Sequence, residues 1–115
     1  MPTIAQPGDV VLVRFPFTDL TTAKLRPAVV LATHGDDLII VGIFSRPPPD
    51  LRPTWITLGS QDPAFSQTGL KTASVIKTER IAVIEQSVVV RRLGFLSPSI
   101  MEAVKRAVKL ALNLV

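Results

Sequence analysis

The chain has no cysteine in its 115 residues. Disulfides and thiolate metal sites are therefore excluded, and the core must hold without cross-links. Histidine is nearly missing: His34 stands alone, so neither paired-imidazole acid–base catalysis nor a Ser-His-Asp triad can be assembled within one chain. His34 sits in the turn cluster Thr33-His34-Gly35-Asp36-Asp37 and reads as a surface turn residue. Glycine-rich phosphate loops are lacking too. Gly8, Gly35, Gly42, Gly59, Gly69 and Gly94 are isolated, and each is explained by a turn, a bulge or tight packing. Asp36, Asp37 and Glu79 are too scattered to suggest a cation cage, so no metal site is expected. The longest apolar run, Leu38 to Phe44, is far short of the roughly 20 residues of a membrane span. The opening MPTIAQPGD lacks the charged and apolar regions of a secretory signal, which fits a cytoplasmic protein.

What remains is a single domain, residues 1–115, with 47% hydrophobic residues to build a core. Thirteen Lys and Arg against nine Asp and Glu leave a net charge of +4. Such a balance suits a polyanionic partner such as nucleic acid; the plainer alternative is a solvated basic surface.

The stretch Gly8 to Leu31 organises the chain. Val10 to Phe17 is rich in β-branched and aromatic residues, and its Arg14 and Pro16 suit a strand with one wet face. A polar loop, Thr18 to Lys24, holds Asp19, Thr21 and Thr22. Ala28 to Ala32 is continuously apolar and reads as a buried strand. Arg26, just before Pro27, is expected in extended backbone at the mouth of that strand.

Leu38 to Ser45 predicts a further strand, paired as a hairpin with Ala28 to Ala32. It must stop before Pro47-Pro48-Pro49, which cannot donate ladder hydrogen bonds. Thr54 to Leu58 is a short alternating strand, and Gly59 to Gly69 a loop. Ser74 to Ile84 is a strand whose imperfect alternation predicts a bulge near Thr78-Glu79. Gln86 to Leu93 holds a short turn and then a strand running toward Gly94. The tail is helical: Ser97-Pro98 fits an N-cap with proline in the first turn, or Ser99 to Glu102 a capping box. Met101, Val104, Val108, Ala111 and Val115 recur at helical spacing. Leu110, Leu112 and Leu114 widen the apolar side, as in a dimer element. Short strands with one terminal helix predict a mainly β, strongly curled small barrel.

Arg26 is the foremost candidate for chemistry. A guanidinium wedged between Leu25 and an apolar strand needs an anion or a set of carbonyls, or else an ion pair with Asp19 or another carboxylate. Ser45 ends the neighbouring strand. Its hydroxyl can face a cleft, or simply terminate the strand. Together the two residues would stand at one end of the sheet, where a phosphate could be held. Trp55, Phe15 and Phe17 could stack on bases or pack in the core; Phe17, beside the polar loop, is the best placed.

The run GDVVLVRFPFTDL…RPAVVLA resembles the opening of the MazF/PemK-like toxins of type II toxin–antitoxin pairs. GLKTASVIKTERIAVI resembles that family's G-x-x-x-x-S-V-x strand, and RRLGFLSP with its helix resembles the family's C-terminus. The likeness spans Gly8 to Leu114. It implies an SH3-like barrel of the PemK/CcdB kind, a homodimer, and a cognate MazE/PemI-like antitoxin with a disordered acidic tail. It also implies a sequence-specific, metal-independent endoribonuclease that cuts single-stranded RNA without a cofactor, leaving a 2′,3′-cyclic phosphate and a 5′-hydroxyl. Arg26 matches the family's catalytic arginine, and Ser45 stands where the family carries Thr or Ser. Phe17, Thr18, Asp19, Thr21, Lys24, Arg46 and Arg80 are the RNA-binding candidates. Two departures matter. The first loop has no Glu, which leaves the general base open, and Arg80 stands where the family often has an amide that contacts RNA. The alternative is a non-catalytic relative that binds nucleic acid, or gyrase through its C-terminal helix as CcdB does.

Overall fold

The computed structural model describes residues 4–14 and 24–114. Phe15, Phe17, Thr18, Asp19, Thr21 and Val115 lie outside the described residues. Apolar β-branched runs form the antiparallel centre. Strands β1 (Asp9–Arg14) and β2 (Leu25–His34) pair with Val10 opposite Val29 and Arg14 opposite Leu25. Strand β3 (Asp37–Ser45) returns along β2 as the expected hairpin, through the turn at Gly35. Its other edge pairs along its full length with β5 (Ser74–Glu85), from Asp37 opposite Glu85 to Ser45 opposite Ser74. The short β4 (Trp55–Leu58) adds to β5, and β6 (Val89–Phe95) adds to β1, giving the order β4-β5-β3-β2-β1-β6.

The sheet is curled but not closed into a barrel. β4 and β6 remain as its two edges. β4 is four residues long and pairs with Ser74 to Lys77 at the start of β5. The curl comes from irregular pairing. β1 and β6 shift register twice, β2 and β3 shift beside Leu31, and β3 and β5 shift between Val41 and Gly42. Val41 faces Ile81 while Gly42 faces Lys77, so Thr78, Glu79 and Arg80 bulge out of the ladder where the sequence predicts a break. β2 is longer than its apolar run. Leu25 to Pro27 and Thr33-His34 are drawn into the strand by partners on β1 and β3.

Each face of the sheet has its own core. On one side Val10, Val29, Val41, Ile43, Leu58 and Ile76 pack under helix α1 (Pro98–Ala111), which contributes Met101 and Val104. On the other, Val11, Val13, Ala28, Val30, Leu38 and Ile40 are closed over by Ala5, Val88 and Val89. Helix α1 starts as the first of the two sequence alternatives describes: the Ser97 hydroxyl accepts from the Ile100 amide at 3.3 Å, with Pro98 in the first turn. It ends in a left-handed cap. Asn113 has φ 57°, its amide donates to Leu110, and the Leu114 amide donates to Lys109 at 2.9 Å. Thr78, buried in the bulge, donates to the Thr54 carbonyl at 2.5 Å and also stands 3.5 Å from the Ala107 carbonyl, tying β5 to the residue just before β4 and to α1.

Two glycines lock the loop after β4 onto β6. A Cβ on Gly94 would lie 2.1 Å from the Gln67 carbonyl oxygen, and one on Gly69 would lie 2.1 Å from that of Leu93. Gly94→Ala must displace backbone, so it is expected to lose about 2 kcal/mol and to lower Tm by about 10 °C in thermal unfolding. Gly59→Ala, which meets nothing within 4 Å, serves as the control and leaves Tm nearly unchanged. Ser97→Ala removes the helix cap, and chemical denaturation should show a loss of about 1 kcal/mol.

Candidate nucleic-acid interface

The prolines after β3 fix where the sheet ends. Pro47, Pro48 and Pro49 offer no amide donors, so pairing stops at Ser45 opposite Ser74. Arg46 makes the exit with φ 58°, a left-handed conformation that costs a non-glycine residue about 1–3 kcal/mol. On the neighbouring strand, Arg26 and Pro27 lie at the same end as Ser45.

A cavity of about 330 Å³ opens at this end, and Arg26 and Ser45 both line it. Arg26 is half-buried and Ser45 exposed. The loop held by Gly69 brings in Lys71 and Thr72, β5 adds Ser74, and β6 adds Arg91. Leu12, Leu25, Pro27, Ile43 and Leu93 form the apolar wall. The Ser74 hydroxyl donates to the Thr72 carbonyl at 2.9 Å, which fixes the loop against the strand. The described lining thus carries three cations and three hydroxyls and no carboxylate. Such a set can grip a phosphodiester by charge-assisted hydrogen bonds. A larger cavity, about 550 Å³, lies beside Ala5, Val11, Gln86 and Val90. It shares Arg91 but contains neither Arg26 nor Ser45, and converging donors matter more than volume for holding an anion.

A second, flatter feature begins where this cavity ends. The Arg26 guanidinium carbon lies 5.9 Å from the centre of the Phe44 ring, and the Lys77 ammonium lies 4.8 Å from the same ring. Lys77 is also 4.7 Å from the centre of the Trp55 ring, over which Arg52 stands at 4.9 Å. Cations and aromatic rings therefore alternate across four adjacent strands and the loop beyond. Sheet register explains the row. Trp55 is directly opposite Lys77, and Lys77 is opposite Gly42, which presents no side chain, so Lys77 leans diagonally to Phe44.

Glu79, delivered by the β5 bulge, anchors the far end. Its carboxylate accepts from Trp55 Nε1 at 2.8 Å and from the Thr54 hydroxyl at 2.5 Å, and pairs with Arg52 at 3.4 Å. Desolvation opposes the charged form, but the bonds from Thr54, the backbone, Trp55 and Arg52 outweigh it and hold the Glu79 carboxyl below its usual range. Arg80 joins Arg52, Trp55, Lys77 and Glu79 around a cavity of about 220 Å³.

The sequence candidates therefore divide. Arg26 and Ser45 share one cavity, and Arg80 belongs to another. Lys24 is exposed just before β2, and Arg46 is exposed at the exit from β3. Phe17, Thr18, Asp19 and Thr21 lie outside the described residues. His34 is the last residue of β2, paired with Asp37 rather than in the turn the sequence predicts; it is exposed and lies eight residues from Arg26, about 25 Å away along an extended strand. Sequence reasoning missed Lys71, Thr72, Arg91, Arg52, Lys77 and Glu79. Only the G-x-x-x-x-S-V spacing from Gly69 to Ser74 hinted at the loop, and nothing local marks the others.

The GD pair that opens the chain's signature is structural. Asp9 is 6% exposed. Its carboxylate accepts from the Gln6 amide at 2.8 Å and pairs with Arg92 Nε at 3.0 Å, joining the lead-in to β6. No helix among the described residues is long and apolar enough to cross a membrane.

Solved structures share this fold. The chain superimposes on MazF (Form-I) from Deinococcus radiodurans with a TM-score of 0.74 at 17% identity, covering 96% of this chain and 98% of that one. An endoribonuclease in complex with its cognate antitoxin, from a mycobacterial species, gives a TM-score of 0.72 at 20% identity, covering 96% and 97%. Mycobacterium tuberculosis toxin MazF-mt6 gives 0.71 at 17% identity, covering 91% and 96%. At these identities the likeness establishes a shared fold. No curated relative matches the sequence. Residues 6–112 match the PemK-like, MazF-like toxin of type II toxin–antitoxin systems, and the chain belongs to that family.

Proposed function

We propose that this protein is an endoribonuclease toxin that cuts single-stranded RNA at a short sequence, and that Arg26 and Ser45 carry the reaction. The observation that supports this most is their meeting in one cavity lined by cations and hydroxyls, with no described carboxylate to repel a phosphodiester. The attacking group is the RNA's own 2′-hydroxyl. Its oxygen bonds to phosphorus, the bond to the 5′-oxygen breaks, and the proton passes in net terms to that leaving oxygen. The products are a 2′,3′-cyclic phosphate and a 5′-hydroxyl. No covalent nucleophile from the protein is needed. Arg26 stabilises the charge that builds on the phosphorane, and the Ser45 hydroxyl donates to a phosphate oxygen. The Arg26 guanidinium offers only donors and no acceptor, so it does not take up that proton. Phe17, Thr18, Asp19, Thr21, Lys24 and Arg46 extend the RNA-binding surface in this reading.

The working unit is a homodimer in the cytoplasm, neutralised by a MazE-like antitoxin, as related toxins have been solved together with theirs. Leu110, Leu112 and Leu114 are 45%, 48% and 70% exposed on the C-terminal helix and its cap. They are the feature that would serve the alternative, a poison that acts by binding gyrase.

Purified protein mixed with long single-stranded RNA in the presence of a chelator tests the proposal. Wild type should yield fragments ending in cyclic phosphate. Arg26→Ala should lower the rate roughly a hundredfold, the loss of about 3 kcal/mol of transition-state stabilisation, and Ser45→Ala should lower it by tenfold or more. Intact RNA at high concentrations of folded protein would contradict the nuclease reading. Toxicity that survives Arg26→Ala but is lost on changing Leu112 would favour the gyrase-binding alternative.

A further inference from the structure

We propose that Lys71 is the general acid of the cleavage, giving its proton to the 5′-oxygen as the bond from that oxygen to phosphorus breaks. This rests on the nuclease reading above and assigns a residue to a step that reading gives only as a net proton transfer. The 2′-oxygen bonds to phosphorus and its proton goes to solvent water. The leaving oxygen takes the Lys71 proton and becomes the 5′-hydroxyl. The Lys71 amine then recovers a proton from solvent, so protons balance over one turnover.

Three observations carry the assignment. First, the cavity that holds Arg26 and Ser45 is lined by three cations, Arg26, Arg91 and Lys71. A guanidinium stabilises charge but keeps its protons, so neither arginine can protonate the leaving oxygen. An ammonium can donate a proton and recover it, and lysine acts as a general acid for that reason. Hydroxyls hold their protons far more tightly, and that of Ser74 is already committed to the Thr72 carbonyl at 2.9 Å. The described lining holds no carboxylate and no histidine, which leaves Lys71 as its one side chain suited to the task. Second, no carboxylate competes for Lys71. The ion pairs among the described residues join Arg52 to Glu79, Arg92 to Asp9 and Lys105 to Glu102. Third, the loop that carries Lys71 is fixed on both sides of it. Gly69 packs its backbone against Leu93 of β6, where a Cβ would lie 2.1 Å from the carbonyl oxygen. The Leu70 amide donates to the buried Thr68 hydroxyl at 3.1 Å, and Ser74 pairs with Ser45. Lys71 thus reaches the cavity from the loop, whereas Arg26 reaches it from β2. Attacking and leaving oxygens stand in line on opposite sides of phosphorus, so groups from separate elements suit the two ends of the displacement.

The experiment first maps the bond that the full chain cuts in long RNA, then places that bond in two short RNAs. One carries the ordinary 5′-oxygen at the scissile position, the other a bridging 5′-sulfur. A thiolate leaves without help from an acid, so the sulfur substrate bypasses the proposed step. Lys71 is exposed, and its substitution leaves the core intact. Lys71→Met should lower the single-turnover rate at saturating protein about a hundredfold on the oxygen substrate, but about twofold at most on the sulfur one. Lys71→Arg keeps the charge and cannot give up a proton, so it should bind RNA like wild type yet cut the oxygen substrate as slowly as Lys71→Met. Arg26→Ala should slow both substrates, because charge builds on the phosphorane with either leaving group. Lys71→Arg cutting as fast as wild type, or an equal loss on both substrates in Lys71→Met, would overturn the general-acid role and leave the nuclease reading standing. Failure of the wild-type chain to cut RNA at all would remove that reading and this role together.

Discussion

The pairing of β3 with β2 on one side and β5 on the other is the constraint from which the rest follows. Its residues are apolar enough to be buried on both faces, so the strand is fixed in the middle of the sheet and cannot slip by one position without exchanging its two cores. Three prolines then stop it at Ser45. The lining of the Arg26 cavity gathers at that stop: Arg26 at the start of β2, Ser45 at the end of β3, Ser74 at the start of β5, and the Gly69 loop pressed against β6.

Charge is distributed to match. The cavity at the sheet end is lined by cations with no carboxylate among its described residues, and the one acidic group in the neighbouring row, Glu79, is occupied by Trp55, Thr54 and Arg52. Asp9, at the start of β1, is spent on Gln6 and Arg92. Acidic side chains here serve to position basic and aromatic ones, and the surface offered to a ligand is positive.

The bulge in β5 links fold and surface. Releasing Thr78, Glu79 and Arg80 from the ladder costs pairing but turns one side chain into the core and two toward solvent. Thr78 recovers part of that cost by bonding across to Thr54, just before β4, and to the helix. Arg80, exposed beside Trp55, stands with the cations of the second cavity as a result.

By itself the sequence determined the local elements. Alternating and continuous apolar runs marked the strands, Pro47 to Pro49 marked the end of β3, Ser97-Pro98 marked the start of the helix, and the broken alternation at Thr78-Glu79 marked the bulge. The Arg26–Ser45 pair was legible for the same reason: a hairpin sets both residues at one end by its register alone. Only the tertiary structure decided that the sheet stays open, because closure depends on whether β4 and β6 meet, and neither strand's residues encode that distance. It alone brought Lys71, Arg91, Lys77 and Trp55 to the surface around Arg26. These residues come from separate strands and a loop, and their proximity follows from strand order and curl, which no local pattern of residues records.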